Sequence, residues 1–112
     1  MEPQRLMPTE LQLAEFIQAT FRSVWALELL LMMARDVDRA WTQRELVDIL
    51  RASTLVVGRA VEELTAAGLI ASEKGGRVRF SPTSEQQNKW VSAAARLYAK
   101  SPDRLRRMIA SS

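Results

Sequence analysis

The chain has 112 residues, a formal net charge of +3, and neither cysteine nor histidine. A chain of this length forms about one domain and can bury a core without covalent staples, so we expect a single domain over residues 1–112. The absence of both residue types excludes disulfides, thiolate nucleophiles and Cys/His metal sites. It also favours a reducing, cytoplasmic location.

Catalysis and membrane insertion are not expected either. The sequence contains no nucleophile and base pair, no glycine-rich phosphate loop and no carboxylate cluster at metal-binding spacing. We therefore predict no catalytic residues, no metal and no other cofactor. The longest apolar run, Leu29 to Ala34, is far shorter than a membrane span, and the first residues lack the pattern of a signal peptide. We expect a soluble protein with no membrane partner.

Charge is distributed unevenly along the chain. Residues 1–50 carry five basic and eight acidic side chains, whereas residues 51–112 carry eleven basic and five acidic ones. A basic half on a small domain suggests a polyanionic partner, although a solvated surface of mixed charge has the same composition.

The first predicted helical region runs from about Thr9 to Arg35 without glycine or proline. Its length predicts a break near Arg22 and Ser23, where the serine can cap a second helix. The apolar residues of that second helix exceed one narrow stripe, so the helix is either buried on most sides or covered by a second subunit. We predict the second arrangement, with these interface residues: Trp25, Leu29, Met32 and Met33.

A short strand and a capped helix follow. Residues 39–41 are predicted as the strand. Thr42 and Glu45, three residues apart, form a capping box in which each side chain accepts a hydrogen bond from the other residue's backbone N–H. This helix is predicted to end near Arg51.

A second helix is predicted over about residues 54–67, with only a very short turn before it. Ser53 or Thr54 caps its start, and Gly68 ends it in left-handed geometry. Helical spacing predicts an inward face made of Val57, Ala60, Val61 and Leu64.

The other face of this helix carries short polar side chains and one arginine, which suit contact with base edges in a major groove. The alternative is that the serine and threonine only cap the helix and that the arginine is only solvated. Glu62 and Glu63 argue against close phosphate contact along the later turns, because carboxylates and phosphates repel each other. The predicted DNA contacts of the two helices are Arg44, Ser53, Thr54, Val56 and Arg59.

A glycine-tipped hairpin is predicted next, with strands over residues 69–73 and 77–81. Period-two alternation places Val78 and Phe80 against the core and leaves three cations on the outside, where they suit phosphate or minor-groove contact: Lys74, Arg77 and Arg79. The alternative is an edge hairpin whose charges only prevent aggregation.

Two more helices complete the chain. Ser84 and Gln87 form another capping box, which starts a helix to about Ala99, and Pro102 suits the first position of a final helix. Aromatic and apolar residues of the first of these helices extend the predicted dimer interface: Trp90, Leu97 and Tyr98. A ligand pocket near Trp25, Trp90 and Tyr98 is the minor alternative.

The central segment resembles the winged helix-turn-helix of small bacterial transcription regulators, broadly the MarR and PadR kind. The resemblance covers about Ala40 to Phe80 and is carried by the helix that opens at Ser53, by the run AVEELTAAGLI from Ala60 to Ile70, and by the basic glycine-tipped hairpin. The flanks RSVWALELLL and RLYAKSPDRLRRMI are similar to those of single-domain bacterial helix-turn-helix proteins. The resemblance implies binding of promoter DNA as a dimer.

We therefore expect a mainly α-helical winged helix-turn-helix with a core over about residues 40–81 and flanking helices over about 9–35 and 84–110. The expected function is sequence-specific binding of double-stranded DNA as a homodimeric transcription regulator. In this interpretation the helix over about 54–67 enters the major groove, and the hairpin over 73–79 contacts the backbone or minor groove. The alternative is a protein-interaction module that docks on RNA polymerase, a sigma factor or another regulator, since winged-helix folds serve both roles.

Overall fold

The computed structural model describes residues 10–110. These residues form six α-helices and a three-stranded antiparallel sheet around a shared hydrophobic core. The helices are α1 (Glu10–Thr20), α2 (Val24–Ala34), α3 (Gln43–Leu50), α4 (Thr54–Ala66), α5 (Glu85–Lys100) and α6 (Pro102–Ala110). The strands are β1 (Ala40–Trp41), β2 (Ile70–Ser72) and β3 (Val78–Phe80), and a turn over Lys74–Gly76 joins the last two. The prediction of a mainly helical chain with a small sheet is confirmed, while Thr9, the predicted start of the first helical region, lies outside the described residues.

The predicted break between α1 and α2 is present. The Ser23 hydroxyl accepts a hydrogen bond from the backbone N–H of Ala26 at 3.2 Å and so caps α2. The two helices meet at a bend of 110°. Within residues 10–110 no single helix is long and apolar enough to cross a membrane, and α1 and α2 meet the length and composition criteria only when taken together across this bend.

α2 is the central helix of the core. Six of its eleven side chains are buried, and the helix packs against α4, α5 and β3. Leu29 and Met33 have no exposed surface, so they lie inside the chain's own core and cannot contact a second subunit. The prediction that places these two residues at a subunit interface is wrong. The apolar surplus of α2 instead reflects burial on most sides, which contributes about 1.5–3 kcal/mol for each fully buried side chain.

The two short helices are capped largely as the sequence predicts. The Thr42 hydroxyl accepts a hydrogen bond from the Glu45 N–H at 3.2 Å, and the Glu45 carboxylate accepts one from the Thr42 N–H at 2.8 Å. Of the two candidate caps for α4, Ser53 is the one used, through a bond of 3.1 Å to a backbone N–H of the first turn. Gly68 follows α4 with a φ of 75°, the left-handed conformation predicted for it.

The strand order is β1-β3-β2, so β3 lies in the centre. Arg79 of β3 pairs with Ala40 on one side and with Ala71 on the other. Val78 and Phe80 are buried, which confirms the predicted alternation. Because β1 precedes α3 and β2 follows α4, the sheet holds the beginning and the end of the α3–α4 pair together.

The start of α5 is hydrogen-bonded to the end of α4. The Ser84 hydroxyl caps α5 by accepting from the Gln87 N–H at 3.1 Å, as predicted. The Gln87 side chain does not complete the predicted box, because its Oε1 accepts from the Thr83 N–H at 2.9 Å and its Nε2 donates to the Ala67 carbonyl at 3.1 Å. Thr83 also donates to the Gly68 carbonyl oxygen, from its backbone N–H at 3.0 Å and from its hydroxyl at 2.5 Å.

α6 returns to pack on α1 and α5. Leu105 and Ile109 are its buried side chains. The Gln18 side-chain amide of α1 donates to the Met108 carbonyl at 3.2 Å. The N-terminal and C-terminal helices of the described chain therefore share one part of the core.

Candidate nucleic-acid interface

α4 buries one face and exposes the other. Val57, Ala60 and Leu64 are at most 1% exposed and point into the core, as predicted, whereas Val61 is half-buried. The opposite face carries four exposed side chains: Leu55, Arg59, Glu62 and Ala66. This outward face is the surface that α4 offers to a partner.

The first turn of α4 differs from the prediction at one position. Ser53 and Thr54 are exposed as predicted, although the Ser53 hydroxyl is engaged in capping. Val56 is half-buried, while Leu55 beside it is 64% exposed. Val56 is therefore wrong as an outward-pointing reader, and Leu55 was missed. The signal was available, because two residues correspond to roughly 200° around a helix and so place Leu55 almost opposite the buried Val57.

Arg59 opens onto a groove between α4 and the end of α1. The groove has a volume of about 670 Å³, and its charged lining residues are Arg22, Arg59, Glu62 and Glu63. Arg59 is exposed and makes no ion pair within residues 10–110. Its guanidinium is therefore free to contact a partner, although the two carboxylates beside it make this groove less favourable for phosphate.

Arg44 lies near the start of α3, beside the first turn of α4. It is exposed and, in the described part of the chain, has no ion-pair partner. A groove of about 410 Å³ separates the two helices there and is lined by Gln43, Arg44, Asp48 and Thr54, among others. The Gln43 side-chain amide donates to the Thr54 carbonyl at 3.2 Å, so the start of α3 is fixed directly to the start of α4.

The hairpin presents two free cations rather than three. The two glycines of its tip have φ values of 78° and 74°, which explains why glycine occupies these positions. Lys74 and Arg77 are exposed and form no ion pair with another described residue. Arg79 is only half-exposed and forms an ion pair with Glu73. The prediction that Arg79 projects freely is therefore wrong, because the antiparallel register brings a carboxylate beside it.

A polar cluster stiffens the joint between β1 and α3. The Arg39 guanidinium lies over the Trp41 ring, 3.6 Å from its centroid, and donates to Glu45 at 2.9 Å. The backbone N–H of Thr42, followed by the Arg39 side chain, lowers the pKa of Glu45 below its usual value. These contacts hold the capping box together, so we assign this cluster a structural role.

The remaining residues predicted for dimerisation are partly or largely accessible. Trp25 is 39% exposed. Three others are half-buried: Met32, Leu97 and Tyr98. Trp90 packs against Phe16 with ring centroids 4.9 Å apart, and both line a groove of about 550 Å³ between α1 and α5. Neither Trp25 nor Tyr98 lines that groove. The groove is therefore not the ligand pocket that the sequence analysis considered near Trp25, Trp90 and Tyr98.

Tyr98 belongs to a network that joins α2, α5 and α6. Its hydroxyl donates to the Glu28 carboxylate at 2.7 Å and accepts from the Arg106 guanidinium at 3.1 Å. Burial, followed by the hydrogen bond to Glu28, raises the pKa of Tyr98 above its ordinary value of 10.0. No sequence pattern indicates this network, because Glu28 and Tyr98 are 70 positions apart.

Residues 10–110 contain no group of three or more Asp, Glu, His or Cys side chains placed to hold a metal ion. No family model, curated protein or solved structure matches this chain. The surface around α3, α4 and the hairpin is therefore the basis for a functional assignment.

Proposed function

We propose that this chain is a winged helix-turn-helix protein that binds double-stranded DNA sequence-specifically as a cytoplasmic transcription regulator. The observation that carries the proposal is the outward face of α4, whose exposed first turn precedes a hairpin with a cationic tip. Four exposed cations on α3, α4 and the hairpin make no ion pair within residues 10–110: Arg44, Arg59, Lys74 and Arg77. In this proposal the hairpin over 73–79 is the wing.

Each element has a separate task in the proposed complex. α4 enters the major groove, where Arg59 can bind a guanine through two hydrogen bonds and Thr54 can bond to several base edges. Lys74 and Arg77 contact phosphates without reading sequence. The β1-β3-β2 order supports this division, because it holds the wing next to the two helices.

We also propose that the protein binds DNA as a homodimer. Burial of Leu29 and Met33 restricts the candidate interface to the more accessible side chains of α2 and α5: Trp25, Met32, Trp90, Leu97 and Tyr98. A two-fold dimer predicts a near-palindromic operator with half-sites about one helical turn, roughly 34–36 Å, or a multiple of it, apart.

A second candidate function is docking on a protein partner such as RNA polymerase, a sigma factor or another regulator. Two exposed apolar side chains favour it, since Ile49 is 50% and Leu55 is 64% exposed on either side of the turn between α3 and α4. The two functions differ in salt dependence. Phosphate binding weakens steeply as salt rises, whereas an apolar contact does not.

The test is selection of bound fragments from a random duplex pool at near-physiological salt, with the mass of the protein in solution measured in parallel. We expect an enriched near-palindrome bound by a dimer. Each phosphate that Arg44, Lys74 or Arg77 neutralises should add about −0.9 to the slope of log affinity against log salt, so three such contacts give about −2.7 per chain.

Variants of the full chain then locate the interface. Arg59→Ala should cost about 1–3 kcal/mol on the selected site and relax its sequence preference. Lys100→Ala is the control, because it removes one exposed positive charge from α5, outside the proposed DNA interface. No enrichment together with no duplex binding at low salt would reject the DNA proposal and favour the docking function.

A further inference from the structure

Arg51 occupies a backbone conformation that favours glycine. It ends α3 with φ 54° and ψ 40°, in the left-handed region, and it is the single non-glycine residue with positive φ within residues 10–110. This conformation is unfavourable for any residue with a Cβ atom, and helices commonly place glycine where they end in it. The backbone alone would therefore select glycine at this position.

The side chain of Arg51 does not compensate for this cost inside the fold. It is exposed, and it forms no ion pair, side-chain hydrogen bond or ring contact with another residue of the described chain. In this respect it resembles Arg44, Arg59 and Arg77 of the proposed interface, whereas Arg39, Arg79 and Arg106 each have a carboxylate partner. A strained residue whose side chain has no internal partner suggests a role outside the chain.

The position of Arg51 indicates what that role is. It lies in the turn between α3 and α4, two residues before the Ser53 cap and next to the exposed first turn of α4. Arg44, near the start of α3, is a second exposed cation of the same pair of helices. Asp48, between them in sequence, makes no ion pair with either within the described residues.

We infer that Arg51 binds a backbone phosphate of the duplex that α4 reads, and that it thereby holds the first turn of α4 in register with the bases. This inference rests on the proposed function and adds a residue to it. A guanidinium pairs with a phosphate through two parallel hydrogen bonds, which fixes orientation as well as supplying charge. Because the contact is to the backbone, it acts on all duplex sequences alike.

Three variants of the full chain separate the backbone from the side chain. Arg51→Gly removes both the strain and the charge, Arg51→Ala removes only the charge, and Arg51→Lys keeps the charge. We expect the glycine variant to raise the melting temperature by about 4 °C, because glycine relieves the left-handed strain at this position. The alanine and lysine variants should melt close to the unmodified protein.

The effect of the three variants on duplex binding should differ from their effect on stability. The glycine and alanine variants should both lose about eightfold in affinity per chain at 0.1 M salt, with a salt slope shallower by about 0.9, because one phosphate contact is lost. The lysine variant should keep the slope. Stability and affinity therefore move in opposite directions in Arg51→Gly, which a purely structural residue would not produce.

Three other outcomes would overturn the phosphate contact by Arg51. Unchanged affinity and slope in the glycine and alanine variants, on a duplex that the unmodified protein binds, would overturn the phosphate contact and leave the proposed function standing. A loss confined to one sequence would assign Arg51 to a base edge and overturn the phosphate contact too. If the unmodified protein binds no duplex, the proposed function fails and this inference fails with it.

Discussion

Replacing Gly68 by alanine tests how α4 is joined to the segment that follows it. Gly68 has a φ of 75°, and a Cβ atom built on it would lie 2.4 Å from the Thr83 hydroxyl oxygen. That hydroxyl cannot move away freely, because it donates to the Gly68 carbonyl at 2.5 Å while the Thr83 N–H donates to the same oxygen. The substitution therefore adds left-handed strain and a steric conflict at the same point.

The expected loss of stability has two parts. The left-handed conformation costs a non-glycine residue about 1–2 kcal/mol. Relief of the contact with Thr83 costs about 1–3 kcal/mol more, whether through displaced backbone or through loss of the threonine hydrogen bonds. We therefore expect Gly68→Ala to lower the free energy of unfolding by about 2–5 kcal/mol, a large share of the roughly 5–15 kcal/mol typical of a domain.

Gly75→Ala is the matched control. Gly75 has nearly the same φ, 78°, but a Cβ atom there meets nothing within 4 Å. It should cost only the conformational part, about 1–2 kcal/mol. Urea denaturation followed by circular dichroism measures both variants, and adding Thr83→Ala to Gly68→Ala should recover part of the loss. Equal losses in the two glycine variants, or no recovery in the double variant, would refute the reasoning.

Three further predictions concern other parts of the molecule. The raised pKa of Tyr98 means that the folded state holds the phenol proton more firmly than the unfolded state does. The contribution of Tyr98 to stability is therefore complete below pH 10.0 and declines as pH rises above it. In urea denaturation at alkaline pH, Tyr98→Phe should flatten that decline. If Leu55 contacts a thymine methyl group, replacing that thymine by deoxyuridine should lower the affinity of the unmodified protein about fourfold. The Leu55→Ala variant should bind the two duplexes equally. Replacing both Lys74 and Arg77 by alanine should make the salt slope shallower by about 1.8 per chain, measured by duplex titration.

Each of these three predictions can be contradicted by a specific result, and the salt-slope prediction has a control variant. Arg79→Ala should leave the salt slope nearly unchanged, because Arg79 is already paired with Glu73. If Arg79→Ala makes the salt slope shallower by as much as the loss of one phosphate contact would, the ion pair between Arg79 and Glu73 opens in the complex. The idea of a thymine contact by Leu55 is wrong if deoxyuridine at every position binds like thymine. A Tyr98→Phe variant with the same alkaline decline would show that another group causes it.

The helix boundaries could be predicted from the sequence because they depend on local contacts. The Thr42 and Glu45 box, the Ser53 cap and the Ser84 cap all join residues three positions apart. Gly68 is likewise recognisable, since left-handed helix ends favour glycine. The order of helices and strands followed from these boundaries.

Helical spacing could have corrected the choice of Val56 over Leu55, whereas the other errors depend on contacts formed when the chain folds. Burial of Leu29 and Met33 depends on α4, α5 and β3 packing around α2, which no local pattern encodes. The ion pair of Arg79 depends on the strand register, and the bond from Gln87 to Ala67 spans 20 positions. The exposed Arg59 and Thr54 were predictable because helical spacing alone determines which side of α4 they occupy.

The hydrogen bonds between the end of α4 and the start of α5 limit how the two helices can move. Three bonds, two from Thr83 and one from Gln87, end on the carbonyls of Gly68 and Ala67. α5 cannot swing relative to α4 without breaking them. If α5 contributes to the proposed subunit interface, it acts as a rigid arm of fixed length. The protein would then tolerate a single half-site spacing and reject operators lengthened by even one base pair.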